Sequence, residues 1–157
     1  MEESGTTKIS KTILCVWHTS NQGKTETVRE LATLLLSTYP SCRVLYPTVL
    51  PYIPPVGDFR LVLEIKGRII GIESQGDPGT DLQGRLIDLV DTYYCEVVIC
   101  TCRTRGETVD AVNAVAHSRN FEIIWTSTYQ MIAPHHILAN QLKAKHLLDL
   151  LQTFRRI

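Results

Sequence analysis

Three consecutive residues, Gly23, Lys24 and Thr25, carry the most specific chemistry in the chain. They close a short polar loop that follows an apolar run, Lys11 to Trp17, and they lead into a helical pattern that reaches Leu36. A helix that starts there presents unpaired backbone N–H groups and a partial positive charge, which together attract anions. Gly23 lets the backbone approach an anion without a side chain in the way. Lys24, expected to be exposed, adds a mobile ammonium, and the Thr25 hydroxyl can ligate Mg²⁺. The candidate phosphate-binding set is therefore Thr19, Ser20, Asn21, Gln22 and Gly23 on the loop, with Lys24, Thr25 and Glu26 at the helix start.

Two further groups sit at strand ends. The apolar run Arg68–Glu73 finishes on a carboxylate and breaks at Ser74, Gln75, Gly76, Asp77, Pro78 and Gly79. Taken alone, that is an ordinary strand end and turn. Arg103 and Arg105 follow the β-branched run Glu96–Thr101. Ligands in open α/β sheets bind outside the carboxyl ends of the strands, so a guanidinium there can contact a phosphate or stabilise transferring charge. A pair of solvated surface arginines is the alternative.

These groups need elements to hold them. The first helix carries Val28, Leu31, Ala32, Leu34, Leu35 and Leu36, and it should stop near Tyr39 because Pro40 disfavours helical geometry just before it. Arg43 to Tyr46 is a short strand candidate, and Pro47 to Gly57, with four prolines in eleven residues, is a stiff exposed loop. Within it Thr48 is a minor candidate for a metal ligand. Phe59–Ile65 and Arg68–Glu73 form a hairpin turning at Lys66 and Gly67, its first arm lying towards the sheet edge. A helix to about Tyr93, the strand Glu96–Thr101, a helix through Val109 to Val115, the strand Phe121–Thr126 and a closing helix His135–Phe154 complete the order. Strands alternating with helices predict a mainly parallel sheet with helices on both faces and one antiparallel hairpin strand.

Composition excludes several classes. At 157 residues, 44% hydrophobic and 20% charged, the chain suits one globular domain. Sixteen basic residues balance sixteen acidic ones, so no global field draws it to nucleic acid or an anionic surface. No apolar run approaches the roughly 18 residues of a membrane span. Five cysteines, an odd number lying mostly in apolar runs, predict a reduced, cytoplasmic setting rather than a disulfide framework. Cys100 and Cys102 share a strand face, but no second pair completes a zinc set. His135 and His136 point in different directions on a helix and are read as surface.

The segment His18–Thr25 resembles the Walker A motif of P-loop nucleoside triphosphatases, G-x-x-x-x-G-K-S/T, with His18 in place of the first glycine. The order of strands and helices looks like that of the small Ras-like GTPases. The resemblance implies an α/β, single-domain, P-loop NTPase-like three-layer sandwich over residues 11–157, after a flexible tail at 1–10. It implies Mg²⁺ and a nucleoside triphosphate as cofactors, with Thr25, Glu73 and Asp77 as metal-holding candidates and Lys24 neutralising phosphates. Glu73 to Gly76 resembles the D-x-x-G switch with glutamate for aspartate, which implies a Gly76 N–H near a γ-phosphate and Gln75 orienting water. The guanine-reading N-K-x-D motif is missing after the last strand, where Thr126 to Gln130 stand, so ATP is the expected nucleotide and Tyr129 a candidate for stacking on its base or packing under the final helix.

The expected function is binding of a nucleoside triphosphate with Mg²⁺ and slow hydrolysis, with Lys24, Glu73, Gln75, Arg103 and Arg105 as the catalytic set. One alternative is a small phosphotransferase that holds an acceptor with the 103–106 and proline-rich loops. Another is a degenerate P-loop domain serving a protein partner as a non-catalytic binding or assembly module, a reading favoured by His18 and by the missing base motif.

Overall fold

A computed structural model describes residues 10–19 and 23–157. The elements follow the hydrophobic pattern closely. They are β1 (Thr12–Trp17), α1 (Lys24–Thr38), β2 (Arg43–Tyr46), β3 (Arg60–Ile65), β4 (Arg68–Glu73), α2 (Leu82–Asp91), β5 (Val97–Cys102), α3 (Glu107–Arg119), β6 (Glu122–Thr126) and α4 (His136–Thr153), with a short 3₁₀ turn at Ala133–His135 before α4. None of these helices is long and apolar enough to cross a membrane.

The strands form one six-stranded sheet in the order β2-β3-β4-β5-β1-β6. β4, β5, β1 and β6 are parallel, and β3 runs antiparallel to both its neighbours. Alternation along each strand sends side chains to two separate cores. Leu14, Val16, Ile70, Ile72 and Ile99 pack under Val28, Leu31 and Leu35 of α1 and Leu147 and Leu151 of α4. On the opposite face Ile13, Cys15, Val98 and Cys100 pack under Leu86 and Leu89 of α2 and Val112 and Val115 of α3. This is a three-layer α/β sandwich.

One expectation changes. The first hairpin arm, β3, is not at the edge, because β2 pairs outside it with Arg43 opposite Glu64 and Val44 opposite Leu63. Leu61, Val62 and Leu63 are all fully buried, so both faces of β3 are covered. The true edges are β2, four residues long with a register shift before Tyr46, and β6, five residues long. Arg156, beyond α4, folds back to pair with Glu122 at the start of β6.

The order across the sheet decides what can meet. β5 separates β1, which feeds the polar loop, from β4, which ends in Glu73. The carboxyl ends of β1 and β5 lie side by side, Trp17 level with Cys102. Their following helices depart to opposite faces, α1 to one and α3 to the other. Such a divergence opens a crevice at the sheet edge where ligands bind in α/β folds.

Candidate functional site

Gly23 is the N-cap of α1 and has φ 77°, the left-handed region that glycine enters without strain. A side chain here would also press on Asn140 of α4, whose Oδ1 would lie 3.0 Å from an added Cβ. The turn into α1 thus requires glycine on two counts. Lys24, the first residue of α1, is 7% exposed, against the expectation of an exposed side chain. Its ammonium bends back to donate to the carbonyl oxygens of His18 (3.0 Å) and Thr19 (3.2 Å), just past the end of β1. Burial, and next the Arg103 guanidinium, hold its pKa below the usual lysine range, against the opposing pull of Asp77. His18 accepts the Thr19 N–H through Nδ1 (2.8 Å), and its own N–H donates to the Cys102 carbonyl (3.2 Å), tying the loop to the end of β5. Ser20, Asn21 and Gln22 lie outside the described residues.

Arg103 follows β5 and binds Asp77, with Nε at 3.2 Å and Nη2 at 3.1 Å from the same carboxylate oxygen. Its backbone N–H donates to the Thr108 hydroxyl (2.9 Å), which fixes the turn into α3. Arg105 is exposed. Thr19, Pro78, Arg103, Thr104 and Arg105 line a cleft of about 440 Å³. The crevice between β1 and β5 therefore gathers Thr19, Lys24, Asp77, Arg103 and Arg105.

Gly76 is what lets Asp77 reach that crevice. The chain leaving β4 crosses the end of β5 so closely that a Cβ on Gly76 would lie 2.0 Å from the Thr101 carbonyl oxygen. The Thr101 hydroxyl holds the crossing by donating to the Ser74 carbonyl (2.8 Å). Glu73 goes elsewhere. Ile70 and Ile72 face α1, so Glu73, like Gly71, faces α2. There it is 2% exposed, bonded to Arg60 Nε (2.8 Å) and 3.6 Å from Arg85 Nη1, while Arg60 also pairs with Asp88. This charged network and Gln75 line a second cleft of about 660 Å³, along with Tyr46, Asp58 and Tyr93.

Thr25 meets a different carboxylate. Its hydroxyl donates to Asp58 Oδ1 (3.3 Å), and the Ser74 hydroxyl donates to the same oxygen (2.9 Å). Ser74 is 1% exposed and locked: its hydroxyl accepts the Phe59 N–H (2.7 Å) and its own N–H donates to the Phe59 carbonyl (3.1 Å). Asp58 is brought in by Arg29, one turn beyond Thr25 on α1. Its guanidinium donates to the carbonyls of Pro54 and Gly57 (2.6 Å for Gly57) and stacks on the Phe59 ring, 5.3 Å from its centre. Glu26 is exposed and accepts from Arg29 Nε (3.3 Å). Thr48, in the same loop, is exposed.

The chain matches no family model, no curated protein and no solved structure.

The site is thus read from its own geometry. Asp58, Ser74 and Arg29 escaped sequence reasoning. Arg29 has the spacing of a helix residue one turn past Thr25, which is the one signal that pointed there; what it grips is set by a loop with no repeating pattern. Tyr129 lies against α4, its hydroxyl 2.6 Å from His146 Nδ1 and its ring under the Lys143 ammonium. Among the described residues no three His, Cys, Asp or Glu side chains gather as a metal set.

Proposed function

We propose that the crevice between β1 and β5 binds the phosphate chain of a nucleoside triphosphate, with ATP the expected nucleotide, and supports slow hydrolysis. The observation that carries this reading is the pairing of two cations at one helix start. Lys24 is buried at the first position of α1 and bonded to the Thr19 carbonyl, and Arg103, just past the neighbouring strand, lines one cleft with Thr19. Asp77, bonded to Arg103, already offsets part of the repulsion between these two cations, and a polyphosphate bound between them would take over that role. The first N–H groups of α1 add a partial positive charge on the same axis.

In this reading Lys24 exchanges its two loop carbonyls for phosphate oxygens, and Arg103 leaves Asp77 to meet charge as it shifts to the leaving oxygen. Arg105 extends the cationic rim of the cleft. Bound Mg²⁺ would supply charge neutralisation across the outer phosphates, with Thr25 as its first ligand from this chain. Hydrolysis is slow because His18 replaces a permissive glycine and Arg103 starts out paired with Asp77. Titration calorimetry with ATP and GTP, each with and without Mg²⁺, tests the reading: ATP should bind, and silence with both nucleotides would overturn it.

The second cleft favours one other reading, phosphotransfer to a small acceptor. It is larger, about 660 Å³, and shares Asp58 with the Thr25 cluster. Product analysis for transfer to added acceptors, against release of free phosphate, separates the two.

A further inference from the structure

We infer that Asp58, directly after the proline-rich loop, is the carboxylate that completes the Mg²⁺ site with Thr25, in place of a residue at the end of β4. The inference rests on the nucleotide-binding reading above and adds the identity of the metal-holding carboxylate.

Four observations carry it. Thr25 Oγ1 and Asp58 Oδ1 lie 3.3 Å apart. Two neighbouring ligands of an octahedral Mg²⁺, each about 2.0–2.1 Å from the ion, sit about 2.9 Å apart, so a few tenths of an ångström bring both onto one metal. Among the described residues the exposed Asp58 side chain bonds only two hydroxyls and pairs with no cation, which leaves Oδ2 open to a ligand. Glu73, by contrast, faces α2 with two arginines upon it and is 2% exposed. Last, Asp58 is aimed, not adrift. Ser74, buried and itself bonded to Phe59, holds Oδ1 from one side, and Arg29 clamps the preceding loop from the other.

One carboxylate and one hydroxyl suit Mg²⁺, which keeps several waters and takes its remaining ligands from substrate phosphates. The proline-rich loop thereby becomes part of the site, and its stiffness has a use: it presents a carboxylate at a fixed distance from the start of α1.

The test is the linkage between Mg²⁺ and nucleotide. ATP affinity is measured by calorimetry in excess EDTA and in excess Mg²⁺ for the wild type, Asp58→Asn and Glu73→Gln, with melting curves to verify folding. In the wild type Mg²⁺ should tighten ATP binding. Asp58→Asn should lose at least about tenfold of that tightening, equal to about 1.4 kcal/mol, with affinity in EDTA unchanged or improved. Mn²⁺ retained by the protein–ATP complex, read by paramagnetic resonance, should fall in parallel. If Asp58→Asn keeps the full Mg²⁺ effect, or Glu73→Gln alone loses it, the inference is overturned while nucleotide binding stands. If the wild type binds no ATP in either buffer, the nucleotide reading falls and takes the inference with it.

Discussion

Lys24 shows how burial changes what a substitution tests. Its ammonium satisfies two backbone carbonyls, so Lys24→Ala removes the proposed phosphate ligand and also the tie to His18 and Thr19. Loss of ATP binding is expected, by about 3 kcal/mol or roughly 100-fold, the upper range for a hydrogen bond to a charged group. A variant that binds ATP as the wild type does would remove the lysine from the site. Its pH behaviour is a second check. Burial and Arg103 lower the Lys24 pKa, and a bound phosphate raises it again, so the nucleotide prefers the protonated form. Affinity should be full at neutral pH and decline as pH rises through the lowered value, short of the ordinary lysine value of 10.5. Lys24→Arg, which stays protonated, should abolish that decline, and a decline that persists in it would assign the titration to another group. For Arg103 the expected signature is kinetic. Arg103→Ala should lower kcat by about tenfold or more, on the order of 1.4 kcal/mol of barrier, with ATP affinity little changed. Intact basal hydrolysis would leave Arg103 a binder of partners or acceptors.

At the scale of elements, two close approaches hold the site together. Gly76 crosses the end of β5 with no room for a methyl group. Gly76→Ala should destabilise the fold by about 2–3 kcal/mol, the upper part of the range for forced overpacking, because the obstacle is the Thr101 backbone and cannot rotate away. Denaturant unfolding measures this, and a neutral outcome would mean the 74–77 segment can lift off β5. Arg29 plays the matching part for the proline-rich loop. Arg29→Met should cost about 1–3 kcal/mol, from bonds lost to Pro54 and Gly57 and from carbonyls left without a donor. These crossings mark the boundary of what the sequence makes legible. Apolar periodicity located β1, α1, β4 and β5 within a residue or two, because burial of one face dictates it, whereas α3 runs four residues past the expected Val115. Gly-Lys-Thr located the start of α1 for the same local reason. The order of strands across the sheet has no local signature, so the insertion of β5 between β1 and β4, and with it the turn of Glu73 away from Thr25, could not be read ahead.

For the molecule as a whole, the network of Arg60, Glu73, Arg85 and Asp88 joins β3, β4 and α2. The Thr92 hydroxyl, and after it Arg60, hold the Asp88 carboxyl below its usual value of 3.8. The folded state therefore binds fewer protons than the unfolded chain near that pH. The stabilisation is complete above 3.8 and is lost as pH falls through the depressed folded value. Asp88→Asn should flatten the acid limb of a stability-against-pH curve while leaving stability near neutrality lower than the wild type, and an unchanged acid limb would show that other carboxylates govern acid unfolding.

Both outer strands are poor templates. β2 is four residues long with a shifted register, and β6 is five residues long with the Arg156–Glu122 pair across its start. A long, flat, apolar border would recruit strands from other chains, and a charged, interrupted one discourages it. The consequence is colloidal: replacing Glu122 and Arg156 together with valine should leave the fold standing and make concentrated solutions scatter light, as sheets begin to grow from chain to chain.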